Sequence, residues 1–392
     1  MSDKSIKNSN ISFLKKEEQV MLGVYKQLSL SIISAKGCEL ITNDNRKILD
    51  LYGGHAVMSL GYGEKNFLDS VKTQMTKLLF QSNLLPLEIR ARAAENLLAI
   101  APDSLAKVFF VNSGSEANEN ALKIACLANG RKKILAVTHG FHGRTAAAAA
   151  VTWNAKNSWY GFPTMPFEVD FIPRDDLSAV KSMINSKIAA VIIEPIQGVA
   201  GAYDLSSDFL RSIRQKCYEA SVVLIVDEVQ SGMGRSGNYF AIQNYDIEPD
   251  ILTTAKSLGG GVPCAALITT DYLSSYLKVG DLGSTFGGTP LACAAINAVI
   301  ESLSKNKLLH NVKMMEKEIR EKCLVGPVKN IQGKGLLLGL VCNRPATEIQ
   351  TELLHRDILT GTSADNNVLR LLPPLILQSH HIDKLSDALI SI

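Results

Sequence analysis

An α/β fold with a mostly parallel central sheet, joined to a smaller α+β lobe, is predicted by three features of this 392-residue chain. From Ala106 onward, short apolar runs alternate with longer helix-like stretches, the pattern of strands joined by helices that cover both faces of a sheet. Several apolar runs lead into polar or charged residues, and in such sheets ligands gather at the carboxyl ends of strands. From about Pro290 the pattern changes to long helices followed by two apolar runs, residues 335–341 and 367–372.

The elements follow in order. The stretch to about Lys36 is polar with helical patches and is expected to pack on another element or on a partner. Residues 39–51 read as a hairpin whose centre, Asn43-Asp44-Asn45, has turn chemistry. The sheet strands expected are residues 108–111, 133–137, 189–193, 222–226 and 251–254, with helix-like stretches such as 206–220 between them. This divides the chain into an N-terminal segment (1–45), a large domain (46–289) and a small C-terminal domain (290–392).

Composition narrows the function. With 46% hydrophobic and 20% charged residues the chain resembles an ordinary globular enzyme. A formal charge of +3 with no long basic run argues against a nucleic-acid partner. Seven cysteines without CxxC spacing, and no apolar stretch in residues 1–8, point to a reducing, cytoplasmic compartment. No apolar segment is long enough to span a bilayer. There is no HExxH or Cys/His cluster for a metal and no GxxxxGK[ST] loop. Gly232-Met233-Gly234-Arg235-Ser236-Gly237 matches GxGxxG, but residues 227–231 separate it from the preceding strand and no clear helix start follows.

Lys256 and Asp227 carry the chemical signal. The run 222–226 delivers Asp227, and the run 251–254 delivers Lys256 just before Ser257-Leu258-Gly259-Gly260-Gly261. An amine beside flexible backbone, with a carboxylate nearby, suits pyridoxal phosphate: lysine forms an imine with the aldehyde and the carboxylate keeps the ring nitrogen protonated. Asn112-Ser113-Gly114-Ser115-Glu116-Ala117-Asn118 opens a helix after a strand; Ser113 or Ser115 suits the N-cap, and such a helix start is able to bind phosphate, with a plain capped helix as the competing reading. In Gly140-Phe141-His142-Gly143-Arg144-Thr145, Phe141 suits stacking on a planar ring and Arg144 a bidentate carboxylate clamp, though taken alone the segment reads as a surface turn. Glu194 ends another apolar run, and Gly283-Ser284-Thr285-Phe286-Gly287-Gly288 offers hydroxyls to a phosphate. Arg370 needs a carboxylate partner if buried; an exposed strand residue is the competing reading.

Taken together, these segments resemble the class III (subgroup II) pyridoxal-phosphate aminotransferases of fold type I, closest to the acetylornithine and ornithine aminotransferases, over about residues 37–376. The resemblance implies a catalytic pair, Lys256 and Asp227. It implies cofactor contacts from Ser113, Gly114, Ser115, Phe141, His142, Glu194, Asp227, Val229, Gln230, Lys256, Ser284 and Thr285, and substrate contacts from Arg144, Arg370 and His55. It further implies a homodimer with shared active sites, because the Ser284–Thr285 segment reaches the neighbouring subunit's phosphate. Transfer of an ω-amino group from an acylated ornithine-like donor to 2-oxoglutarate, giving glutamate in arginine biosynthesis, is the first expectation. Ornithine, 4-aminobutyrate, lysine-derivative or diamine transamination is the alternative, and a catalytically silent scaffold is the non-enzymatic one.

Two departures bear on specificity. Where the family pattern continues Gln-Gly-Glu, with a glutamate able to pair with the carboxyl-terminal arginine, this chain has Val199. The family's Gly-His-x-His-Pro segment is Gly61-Tyr62-Gly63-Glu64-Lys65. His55 lies where related enzymes place a substrate-side residue, with a core or loop histidine as the competing reading.

Overall fold

The structure, a computed structural model, describes residues 14–392; residues 1–13 of the N-terminal segment lie outside the described residues. Its centre is a seven-stranded sheet, with strands numbered here within that sheet. These are β1 (Lys107–Val111), β2 (Lys133–Val137), β3 (Glu168–Ile172), β4 (Ile188–Ile193), β5 (Val223–Asp227), β6 (Ile251–Thr254) and β7 (Ala265–Thr269). Their order is β1-β7-β6-β5-β4-β2-β3. Only β7 runs antiparallel to its neighbours, and the other pairings are parallel.

The two-residue period of a strand explains how the sheet is sandwiched. Ala190 and Ile192 of β4 join Ile225 of β5 and the helix Gly114–Asn129, through Ala121, Leu122, Ile124 and Ala125, in one apolar cluster. Val191 and Ile193, with Leu224 and Val226, face the other way onto Phe209, Leu210 and Ile213 of the helix Ser207–Ala220. Every residue of β4, β5, β6 and β7 is buried, which is why these strands read as continuous apolar runs rather than alternating ones.

Two strands, β3 and β7, were not anticipated. Strand β3 alternates between exposed and partly buried residues and contains Glu168 and Asp170, so it lacks the apolar continuity of the centre. Strand β7 returns antiparallel through a glycine-rich turn, without the crossover helix the alternation pattern looks for.

The hairpin forms as Glu39–Thr42 against Lys47–Asp50, with Asn45 in the left-handed region at φ 62°. It is flanked by Ile32–Lys36 and by the parallel strand Ile358–Leu359, so this sheet joins the two ends of the chain and runs across residue 45. Ahead of it, residues 20–25 are largely exposed, including Val20, Leu22 and Tyr25. A second four-stranded sheet, Val328–Lys334, Leu337–Cys342, Val368–Leu371 and Gly361–Thr362, forms with the helices Leu308–Lys322, Ala346–His355 and Ser379–Ile390 the carboxyl-terminal part. The GxGxxG segment folds as buried turns followed by a short 3-10 stretch, Ala241–Tyr245, and does not turn directly from strand into helix. Among the described residues, no helix is long and apolar enough to cross a membrane.

Buried within the turn after β5, Glu228 accepts hydrogen bonds from Ser231 Oγ (2.5 Å) and Ile242 N (2.7 Å). Burial pushes its carboxyl up to about 7 against these hydrogen bonds. A folded-state value above the unfolded one means stability that is complete below the unfolded pKa of about 4.5 and lost as pH rises through about 7. Glu228→Gln removes the titration. Its melting temperature relative to the unsubstituted chain is therefore expected to rise between about pH 4.5 and pH 7 and then level off, as thermal scans of the two proteins would read.

Candidate functional site

Parallel pairing of β5 with β6 places Asp227 opposite Thr253 at the carboxyl ends of the strands, and Lys256 follows two residues beyond β6. Lys256 is partly buried and left-handed at φ 48°, a conformation uncommon outside glycine and therefore a mark of local constraint. Burial lowers the pKa of its amine, and Arg370 adds to this, while Asp227 and Glu194 oppose it.

Asp227 is 3% exposed and fully engaged. Its Oδ2 accepts from Asn118 Nδ2 (2.7 Å) and lies 2.8 Å from His142 Nδ1, while Oδ1 accepts from Val229 N (2.9 Å). Asn118 is itself fixed: its Oδ1 accepts from Thr253 Oγ1 (2.7 Å) and its Nδ2 also donates to the His142 carbonyl (2.8 Å). With Nδ1–H directed at the carboxylate, His142 is left with a buried Nε2 that has no hydrogen-bond partner.

Neither Asn118 nor Thr253 was singled out as a site residue. Asn118 is a buried amide on the same helix as Ala117, Ala121 and Ile124, and Thr253 is a hydroxyl in a buried strand. A polar side chain in an apolar position was the available signal, because such groups are retained where a partner awaits them.

The helix Gly114–Asn129 brings its first turn to the same place. Ser113 is its N-cap in a capping box: Ser113 Oγ accepts from Glu116 N (3.2 Å), and the Glu116 carboxylate accepts from Ser113 N (2.9 Å). Gly114 is required by close approach, since an added Cβ would lie 2.8 Å from both methyls of Val229. A cavity of about 390 Å³ opens here, lined by Asn112, Ser113, Gly114, Ser115, Asn118, Phe141, His142, Asp227, Val229 and Lys256, among others.

Glu194 lies beneath, buried, accepting from Phe141 N (2.8 Å) and Gly198 N (3.3 Å). Burial raises its carboxyl to about 7; His142 opposes the rise, and Asp227 adds to it. Gln230 is buried with Oε1 unpaired. Arg144 is exposed, its guanidinium 5.1 Å from the Phe141 ring centroid and 5.7 Å from that of Trp159.

Of the expected site residues, Glu194, Gln230, Arg144, Arg370, His55, Ser284 and Thr285 do not line the cavity. Arg370 is buried, and His55, on the exposed side, is linked to it through Tyr52. Ser284 Oγ accepts from Asn112 Nδ2 (3.2 Å) and Gly287 N (3.0 Å), while Thr285 is exposed on the surface beside Phe286.

The chemistry of this donor set fits a planar, phosphorylated aldehyde with a basic ring nitrogen. It offers a desolvated amine, a buried carboxylate held in place by three donors, and a capped helix start opening on the same cavity.

Comparison with known proteins agrees with that chemistry. The family model for aminotransferase class-III matches residues 23–392. The acetylornithine aminotransferase of Methanocaldococcus jannaschii is 35% identical, over 97% of this chain and 98% of its own. A [LysW]-aminoadipate semialdehyde/glutamate semialdehyde transaminase of Sulfurisphaera tokodaii is 34% identical, over 93% of this chain and 95% of its own. Among solved structures, the ornithine aminotransferase of Toxoplasma gondii ME49 superposes with a TM-score of 0.90 at 26% identity, covering 97% of this chain and 94% of that one.

Proposed function

Because the chain belongs to the class III aminotransferases, pyridoxal-phosphate-dependent enzymes of fold type I, we propose that it moves the terminal amino group of an N-acylated ornithine-like donor to 2-oxoglutarate. The observation that carries the reading is the placement of Lys256 and Asp227 on one cavity at the carboxyl ends of neighbouring strands.

When bound, pyridoxal phosphate supplies an aldehyde that takes up amino groups and a cationic ring that withdraws electrons from the substrate carbon. Lys256 Nζ would hold the cofactor through its aldehyde and, when not so engaged, would move the proton of the amine-bearing carbon as general base. Its depressed pKa favours the neutral amine that this step needs. Asp227 keeps the ring nitrogen protonated, and Asn118 and His142 hold the carboxylate in place. Ser113, Gly114 and Ser115 receive the phosphate at the helix start. Phe141, His142 and Val229, which line the cavity, would face the ring, with Glu194 and Gln230 supporting them from behind. Arg144 and Arg370 take the two carboxylates of the oxo acid, and His55 borders the donor. Thr285, exposed, would with Ser284 reach the phosphate of a second copy, which makes a homodimer the working assembly; the compartment is read as cytoplasmic.

The substrate class is supported by relatives named acetylornithine aminotransferase at about one-third identity over nearly full length. A lysine-derivative donor is the second reading, favoured by the Sulfurisphaera relative's name. A donor panel at fixed 2-oxoglutarate separates them, with acetylornithine, succinylornithine, ornithine, acetyllysine and 4-aminobutyrate. Glutamate is expected to form fastest with an acylated ornithine. Faster turnover of acetyllysine would move the assignment to the second reading, and no glutamate from any donor would remove 2-oxoglutarate as acceptor.

A further inference from the structure

Arg370 lies in the strand Val368–Leu371, opposite Gly339 on one side and Gly361 on the other, and is 6% exposed. A guanidinium removed from water is ordinarily compensated by a carboxylate. Among the described residues Arg370 has no ion pair, and its hydrogen-bond partners are neutral. Nε donates to the Thr362 carbonyl (2.7 Å), Nη1 to the Gly198 carbonyl (3.2 Å) and Nη2 to Tyr52 Oη (2.9 Å). Each terminal nitrogen carries two N–H groups, so one on each remains for an incoming anion.

The Tyr52 hydroxyl is the link. While its oxygen accepts from Arg370, it lies 2.7 Å from His55 Nδ1. With the oxygen accepting from a cation, its proton is directed at Nδ1, which requires an unprotonated nitrogen there. His55 is suited to stay neutral: burial lowers its pKa, and Arg370, Lys256 and Arg144 lower it further.

The backbone beneath this relay is held in an uncommon shape. Gly53, Gly54, His55 and Ala56 all have positive φ, between 55° and 68°, which costs energy at the two residues that carry a Cβ. Three side chains pin it. The Asp50 carboxylate accepts from Tyr52 N (2.8 Å), Gly53 N (2.9 Å) and the Tyr62 hydroxyl (2.7 Å), and Ser257, next to Lys256, donates Oγ–H to the Ala56 carbonyl (2.5 Å). The constrained turn thus presents His55 to Tyr52, and Tyr52 to Arg370.

Resting on the aminotransferase reading above, we propose that Tyr52 and His55 are positioning residues. Their neutral relay orients Arg370 and leaves its charge free to receive a carboxylate of the oxo-acid substrate. Val199 follows Gly198, so the residue next to the carbonyl that touches Arg370 brings no carboxylate, while Glu194, which attracts Arg370 electrostatically, is held by Phe141 N and Gly198 N and makes no ion pair with it.

Glutarate, a dicarboxylate that cannot react, tests this by calorimetry on the holoenzyme at mildly alkaline pH, alongside steady-state kinetics with 2-oxoglutarate. Tyr52→Phe is expected to weaken glutarate binding about tenfold, the worth of one charge-assisted hydrogen bond. KM for 2-oxoglutarate should rise by a similar factor, with a smaller change in kcat and an intact visible band from the bound cofactor. His55→Ala should act in the same direction. His55→Asn should restore binding, because its amide oxygen stands near the place of Nδ1 and asparagine tolerates the left-handed backbone. Unchanged glutarate affinity in Tyr52→Phe, or His55→Asn as weak as His55→Ala, would overturn the relay. Should Tyr52→Phe fail to fold, the two His55 variants decide alone. A wild-type protein with no cofactor band and no transamination would sink the enzymatic reading instead; one with both that ignores glutarate would sink only the relay.

Discussion

Lys256→Ala is expected to abolish aminotransferase turnover, by about four orders of magnitude or more, since it removes both the covalent tether and the general base. The fold should survive. Alanine carries a Cβ as lysine does, so the left-handed backbone at φ 48° is no worse accommodated, and among the described residues the amine makes no hydrogen bond. The displaced side chain is one whose charge the site already disfavours through burial, so its removal relieves a desolvation cost. Three measurements check this together: turnover with an amino donor, the visible band of the lysine-held cofactor, and thermal unfolding of the apoprotein. Loss of the first two with an unchanged third is the expected pattern. A variant that still turned over within tenfold of the parent would remove Lys256 from the mechanism.

Much of this was legible in the sequence because burial on both sides of a sheet writes itself as apolar runs. Strands β1, β2, β4, β5 and β6 were read that way, and Asp227 at the end of β5 and Lys256 two residues beyond β6 marked the ligand edge. What escaped was of two kinds. Strand β3 lies at the sheet edge with charged residues, and β7 reverses direction without a helix, so neither carries the expected signature. The second kind is the polar residue whose meaning depends on a distant partner. Asn118 and Thr253 are separated by 135 positions, and only the sheet brings them into contact at 2.7 Å. The same holds for Arg370. Its burial was one of two readings open in the sequence, and the structure gives it neutral acceptors in place of the carboxylate that burial was expected to demand. Tyr52 drew no notice because a tyrosine beside two glycines is an ordinary turn residue until the far strand arrives.

Asp227→Asn should cost about two to three orders of magnitude in kcat, the scale seen when a preorganised electrostatic contact is removed from a water-excluded site. The geometry explains why asparagine is no quiet replacement. Both Asp227 oxygens accept: Oδ2 from Asn118 Nδ2 and His142 Nδ1, Oδ1 from Val229 N. An amide has only one oxygen, so whichever way it turns, its NH2 group faces at least one N–H, and a buried donor is left unpaired. Two losses therefore combine. Local order is disturbed at about the level of one broken buried hydrogen bond, roughly 1–3 kcal/mol, and the negative charge that would keep a ring nitrogen protonated is gone. Asn118→Ala separates them, because it keeps the charge and removes one of its supports. It should lower kcat by a smaller factor, about tenfold, while costing similar stability. Steady-state turnover and denaturant unfolding of both variants read the two effects independently. If the Asp227→Asn and Asn118→Ala variants lost equal activity, the carboxylate would matter for its hydrogen bonds alone, and its electrostatic role would fall.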